Sequence, residues 1–237
     1  MTTTSTTPAT TDHRRALRTG GTAMLIAAAA TLLTPITVFM LPWTAIDPGY
    51  ADPTSWRDPL MTAAVAWIGP IYGVQYLVLA TVIVTAALAL RTVTARSAFG
   101  LAGTAAALAA GALLLVFGGS TAAWYSEMVA PALAAIGVDD GTRKVAGFAD
   151  ILNTQGVMGA SGLLVVTWLL AVGVCGRRAG FYGRGPTVIA GVFTVIAAAL
   201  YVLGRGAGAA LTMMLPLAAC GIWLLVASRR QVIRDAG

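Results

Sequence analysis

Six long apolar runs dominate this chain and restrict what it can fold into. A helix needs about 20 apolar residues to cross the hydrocarbon core of a bilayer, where backbone polar groups must be paired internally. The sequence therefore predicts an all-α fold, a polytopic integral membrane protein built as a bundle of six transmembrane helices. The predicted spans cover residues 20–41, 68–90, 98–119, 154–175, 186–203 and 209–227.

The composition agrees with lipid as the main solvent. Hydrophobic residues make up 58% of the chain and charged residues 10%, whereas soluble domains carry about 25% charged residues. The Thr-rich residues 1–18 are predicted to form a disordered cytoplasmic tail, and residues 229–237 a basic cytoplasmic tail. Residues 19–228 form the predicted transmembrane domain.

The basic residues predict an orientation. Eleven arginines lie in the two tails and in every second link, and four basic residues lie in the other links. Cytoplasmic loops carry an excess of Lys and Arg, so both termini are expected in the cytoplasm of a cell that holds this chain in its inner membrane. The eleven are Arg14, Arg15, Arg18, Arg91, Arg96, Arg177, Arg178, Arg184, Arg229, Arg230 and Arg234; the four are Arg57, Arg143, Lys144 and Arg205.

The two long links, 42–67 and 120–153, lie on the predicted outer side. Asp58-Pro59 is typical of a helix start, with Asp as the N-cap and Pro at the first helical position. Val145, Phe148 and Ile151 have helical spacing. These links are therefore predicted to form a small, partly helical extracytoplasmic cap.

Few side chains suit catalysis or metal binding. The one histidine, His13, lies in the tail, and Cys175 and Cys220 form no CxxC motif. Ser161 lies among small residues but has no histidine in any span to activate it, which favours a packing role. The sequence thus predicts no catalytic residue, no metal site and no cofactor.

The charge pattern also predicts partners. A basic cytoplasmic face suits the anionic headgroups of membrane lipids. The pI of 9.9 does not indicate nucleic acid, because no basic cluster alternates with aromatic residues on a soluble element.

Four polar residues fall within or at the outer ends of the spans: Gln75, Glu127, Asp150 and Arg205. In one interpretation each is accommodated separately, with Asp150 as a helix cap, Glu127 in water and Arg205 extended to the headgroups. In the other they converge into a polar outer vestibule, because ionisable groups in membranes seek one another. This second interpretation pairs Arg205 with Glu127 or Asp150.

Small residues predict close helix packing, since helices in lipid associate through backbone approach. The glycines chosen for this role on GxxxG or small-residue patterns are Gly69, Gly73, Gly159, Gly162, Gly204 and Gly208.

Three functions stay open at this point. The first is a non-enzymatic accessory or scaffold subunit that packs against other membrane components or copies of itself. The alternative is a small permease or channel component that uses the vestibule, with Pro35 and Pro216 supplying the irregular backbone of transport sites. The third is a lipid-modifying enzyme, for which Glu127 and Asp150 are the only acid–base candidates.

The orientation is testable with single cysteines in a background free of Cys175 and Cys220. An impermeant thiol reagent applied to intact cells is expected to label cysteines at Tyr50 and Asp140 and to leave Ser97 unlabelled, because the basic links stay inside. Labelling at Ser97 without labelling at Asp140 would reverse the topology.

Overall fold

The structure is a computed structural model that describes residues 8–40, 59–94, 97–123, 156–180 and 182–236. Every regular element within these ranges is helical. In chain order the helices are α1 (Pro8–Met40), α2 (Pro59–Thr94), α3 (Ala98–Ala123), α4 (Gly159–Arg178), α5 (Arg184–Val202), α6 (Gly206–Leu211) and α7 (Met214–Ala236).

Six helical stretches are long and apolar enough to cross a membrane, which confirms the predicted all-α fold of a multi-pass membrane protein. All six overlap the predicted runs, since the thickness of the hydrocarbon core sets the length of both. They are Asp12–Leu33, Gly73–Thr92, Ala98–Ser120, Gly156–Arg178, Arg184–Val202 and Gly206–Arg230.

Helix α2 includes part of the predicted outer cap. It begins at Pro59, as the Asp58-Pro59 pair predicts, and continues through Pro70 into the second span. Proline fits the first helical turn because no hydrogen bond from its nitrogen is needed there. The remainder of the predicted cap, residues 42–58 and 124–153, lies outside the described residues.

The two predicted tails are helical where the structure describes them. Helix α1 begins at Pro8, and helix α7 ends at Ala236. Residues 8–18, which the sequence predicts as a disordered tail, form the first part of α1. Leu17 is fully buried, and extending an existing helix adds one hydrogen bond for each residue fixed, so burial and propagation outweigh the polar composition.

The last span is broken into α6 and α7 at Thr212 and Met213. Pro216 explains the break, because its ring clashes with the carbonyl four residues earlier and its nitrogen donates no hydrogen bond. The chain tightens there instead: the Met213 amide donates to the Ala210 carbonyl at 3.2 Å, and the Thr212 hydroxyl donates to the Ala209 carbonyl at 2.6 Å. Helix α1, in contrast, continues through Pro35 without interruption.

Helix α4 is the centre of the bundle. In the most apolar stretch of its span 61% of the residues are buried, against 17% for the same stretch of α5. It packs against α3, α5 and α6, while α1 packs against α2 and α7. Trp168, Leu169 and Val172 of α4 are fully buried in the core.

Glycines bring the helix backbones together at the main crossings. Gly162 lies directly against the Cα of Ala210, and a Cβ at Gly159 would stand 2.6 Å from the Cα of Gly206, so α4 and α6 are in backbone contact. Gly21 and Gly221 meet in the same way: a Cβ at either one would stand 3.0 Å or less from the carbonyl oxygen of the other. Such approaches supply dispersion and close packing in lipid, where hydrophobic exclusion does not act.

These contacts predict that glycines at helix crossings tolerate substitution by alanine much less well than glycines with open space around them. Gly162→Ala is expected to lower the free energy of unfolding by about 1–3 kcal/mol, because the added methyl meets helix backbone that cannot rotate away. Gly119→Ala is the matched control, since nothing lies within 4 Å of its Cβ position. Thermal unfolding in detergent measures both, and equal stability of the two variants would contradict the packing described.

Candidate functional site

The proposed vestibule residues fall into three situations. Gln75 is buried, and its amide nitrogen donates to the Ala30 carbonyl at 2.7 Å, which ties α2 to α1. Arg205 is exposed in the turn between α5 and α6. Glu127 and Asp150 lie outside the described residues. The pairing of Arg205 with either acid therefore stays a prediction.

The turn that carries Arg205 is a compact helix end. Gly204 has φ +68°, in the left-handed region that favours glycine. The Gly204 amide donates to the Tyr201 carbonyl at 3.0 Å, and the Arg205 amide donates to the Leu200 carbonyl at 2.8 Å. Nothing lies within 4 Å of a Cβ at Gly204, and Gly208 makes only ordinary van der Waals contact with Leu200. These two glycines shape the turn rather than a tight helix crossing.

The other glycines chosen from the sequence are placed differently. Gly159 and Gly162 face α6 as described above. Gly73 lies against α3, since a Cβ at Gly118 would stand 3.3 Å from the Gly73 carbonyl oxygen. Gly69 lies within α2. Gly21 and Gly221 are not part of any GxxxG pattern, so spacing in the sequence does not predict their crossing.

A buried aromatic and sulfur cluster joins α2, α3 and α4 near Gln75. The Tyr76 hydroxyl donates to the Met158 sulfur at 3.6 Å, and the Tyr76 ring meets Phe117 edge-on, with centroids 4.6 Å apart. Met158 closes a π-helical turn over residues 156–158 that leads into α4, a geometry that is frequent at functional positions. The sequence analysis did not predict this cluster, although the adjacent polar residues Gln75 and Tyr76 within an apolar run are a signal that could have indicated it.

Ser161 belongs to the same region. It is fully buried, and its hydroxyl donates to the Met158 carbonyl at 2.7 Å. A serine that donates to backbone in its own helix is satisfied without a base. Its neighbour Gly162 is in backbone contact with α6, so this run lies in a helix interface.

A second polar cluster lies where α2 ends, α3 begins and α4 ends. The hydroxyls of Thr94 and Thr104 are 3.1 Å apart, and the Ser97 hydroxyl is 3.3 Å from the Cys175 sulfur. Ser97 also accepts from the Gly100 amide at 3.0 Å and so caps α3. Cys175 and Cys220 are both free thiols and buried. The cluster connects three helices through short polar contacts.

One buried donor in the centre of the bundle stands out. Within the part of the chain that the structure describes, the indole nitrogen of Trp168 has no hydrogen-bond acceptor. The side chain is fully buried in α4. Leaving such a donor unsatisfied costs about 1–3 kcal/mol, which the packing of this large ring must offset.

Exposed arginines gather at the end of the bundle where α1, α3 and α5 begin and α2, α4 and α7 end, here named the arginine end. Contacts between Gly20 and Leu90 and between Gly183 and Trp223 hold these helix ends together. Asp12 is exposed at this end as well. The exposed arginines are Arg14, Arg15, Arg18, Arg91, Arg177, Arg178, Arg184, Arg229 and Arg230.

The α4–α5 link anchors this end to α7. Tyr182 is buried, and its hydroxyl donates to the Cys220 carbonyl at 3.4 Å. Burial raises the pKa of the Tyr182 phenol well above its ordinary value, because desolvation disfavours the phenolate, and the nearby Cys220 thiol raises this pKa further. Tyr182 is therefore a neutral hydrogen-bond donor across the physiological pH range.

The described residues bring no three His, Cys, Asp or Glu side chains together in a group that would hold a metal ion. The arrangement they do form can join helices and present positive charge at one end. Comparison of the chain with protein families, with curated proteins and with solved structures finds no match.

Proposed function

We propose that this multi-pass membrane protein is a non-enzymatic accessory subunit, which packs through α5 against a transmembrane helix of another membrane protein. The observation that carries the proposal is the uncovered face of α5, whose span is the least buried of the six. Val195 is 70% exposed and Val202 is 84% exposed. A helix at the margin of a bundle with such a face is the natural place for a partner.

The exposed face has the pattern of a helix-packing seam, and we name it the α5 stripe. Its members are separated by alternating steps of three and four residues, which is the spacing that keeps one face of a helix against a neighbour. The residues at these positions are glycine, alanine and valine, with Ile196 exposed beside them, and small residues let a partner backbone approach closely. The α5 stripe consists of Gly185, Val188, Val192, Val195, Ala199 and Val202, all exposed.

Another lipid-accessible face, on α3, also carries small residues at helical spacing, among them Ala109, Ala112 and Val116. Long side chains such as Leu108 and Leu115 are exposed beside them. The span of α5 differs in its burial, because 17% of its apolar window is buried, against 39% for that of α3. Valine is also stiff at χ1, so ordering it against a partner costs little side-chain entropy. The low burial of this span and the stiffness of its valines support a protein partner at α5.

The buried polar groups support a packing role as well. Gln75 and Tyr76 bond to groups on neighbouring helices, and Thr31 bonds to the Ala27 carbonyl of its own helix at 2.8 Å. Gln75 and Tyr76 thus brace one helix against another, whereas Thr31 is satisfied within its own helix.

The test compares matched substitutions on two exposed faces. Ala199→Leu and Val195→Phe enlarge the α5 stripe, and Ala112→Leu and Val116→Phe make the same changes on exposed positions of α3. In mild detergent the wild type and both α3 variants are expected to keep one partner chain in a complex of about 1:1 stoichiometry by native mass spectrometry. The α5 variants are expected to lose that partner while remaining folded.

Two results contradict this proposal. One is a wild-type chain that is monomeric in mild detergent, or a complex that survives the α5 changes as well as the α3 changes. The other is a mass of two copies of this chain, which would replace the accessory role by self-association.

One observation favours the second function, a small permease or channel component. The last span is discontinuous at Thr212 and Met213, and transport sites often use broken helices. In that function the Gln75 amide would line a polar path for a solute, and its contact with α1 would not be its main role.

The role of Gln75 separates the two functions. Gln75→Leu is expected to lower the free energy of unfolding by about 1 kcal/mol, because the bond to the Ala30 carbonyl is lost. Thr31→Val is the matched control, since the Thr31 hydroxyl bonds only within its own helix turn. Unfolding in detergent and solute flux in proteoliposomes are measured together. Unchanged stability with altered flux would favour the permease.

A further inference from the structure

The α4–α5 link concentrates positive charge at one side of the arginine end. Arg177 and Arg178 close α4, and Arg184 opens α5. All three are exposed. The spans Gly156–Arg178 and Arg184–Val202 end and begin at these arginines, so the link lies at the level of the lipid headgroups.

Helix α7 adds a fourth guanidinium to this place through Trp223. The Trp223 ring packs on Gly183, where a Cβ would stand 2.5 Å from the ring atom Cζ2. The guanidinium carbon of Arg230 lies 5.8 Å from the centre of the same ring, within cation–π range. Arg184 follows Gly183 directly, so one tryptophan connects Arg230 with the start of α5.

The lower edge of this site is apolar. Ile222 and Val226 are exposed on α7, on either side of Trp223 in the sequence. Tryptophan itself prefers the membrane–water interface, where one part of the ring is in lipid and the other is wet. The site thus has positive charge at the headgroup level and apolar surface below it. These two parts match the anionic headgroup and the acyl chains of a phospholipid.

We propose that Arg184 and Arg230, with Trp223 between the link and α7, bind the headgroup phosphate of an anionic phospholipid. Guanidinium groups pair with phosphate through two parallel hydrogen bonds, which a compact ammonium does not provide. Guanidinium groups close together repel one another, and an anion bound between them relieves that repulsion. This inference depends on the membrane fold and is independent of the accessory role.

The experiment uses the full chain in a zwitterionic detergent. Phosphatidylglycerol and phosphatidylcholine are titrated separately, and binding is followed by the rise in the unfolding temperature and by the lipids retained in native mass spectrometry. Soluble glycerol 3-phosphate is the arm that separates a lipid headgroup from a free phosphate. Phosphatidylglycerol alone is expected to stabilise the protein.

The variants localise the site. Arg184→Gln with Arg230→Gln is expected to weaken phosphatidylglycerol binding about tenfold or more. The control, Arg18→Gln with Arg91→Gln, removes the same charge from the α1–α2 side of the arginine end and is expected to change binding by less than about twofold. Arg230→Lys keeps the charge but removes the planar fork, so a loss close to that of Arg230→Gln is expected if the guanidinium itself is recognised.

Three results overturn the proposal. Equal losses in the double variant and its control would mean that the charge acts diffusely. Equal stabilisation by phosphatidylcholine would remove the anionic preference, and equal stabilisation by glycerol 3-phosphate would remove the lipid. If the double variant does not fold, the single variant Arg230→Gln gives the same comparison against Arg91→Gln alone.

Discussion

Backbone contact between helices at small residues is the interaction on which this bundle depends. Lipid tails are as apolar as leucine, so exclusion from water does not hold one span to another, and contact energy must come from closeness. Gly162 against Ala210 holds the short α6 to the central α4, and the reciprocal crossing of Gly21 and Gly221 closes the first helix on the last. At each crossing the backbone of one helix occupies the space that a Cβ on the facing glycine would need.

The buried polar groups follow from the same constraint. A hydroxyl or amide in the bundle has no water to bond with, so it finds a carbonyl or a sulfur nearby. Gln75 reaches the Ala30 carbonyl and Tyr76 reaches Met158. Each of these bonds also fixes the rotation of one helix relative to its neighbour, which closeness alone does not do. Packing and polar satisfaction therefore specify the bundle together.

Charge divides the molecule along its long axis. Among the side chains that the structure describes, nine exposed arginines occupy the arginine end, while Arg205 lies in the turn at the opposite end of α5. Guanidinium groups at this density repel one another unless anions collect between them. The contact of Trp223 with Gly183 fixes the start of α5 against α7, so the arginines of these two helix ends have defined neighbours. The α5 stripe, which carries no charge within the span, presents the opposite kind of surface.

The sequence by itself determined the class, the spans and the charge distribution of this protein. Run length and the scarcity of charge are local properties, and bilayer thickness converts them into six helices. The Asp58-Pro59 pair also acts locally, so the start of α2 follows from sequence. The break in the last span does not follow from proline alone, since α1 continues through Pro35 while the chain is interrupted before Pro216. The helical residues 8–18 did not follow, because Leu17 gains its burial only once the bundle exists.

Only the tertiary structure decided which small residues meet, where Gln75 is bonded and which helix is left uncovered. Glycine and alanine are frequent in every span, so spacing alone cannot separate Gly204, which forms a turn, from Gly21, which forms a crossing. The uncovered face of α5 and the neighbourhood of Trp223 depend on how all the helices are arranged. Their physical origin is non-local: a contact between residues far apart in the chain has no signature in either segment taken alone.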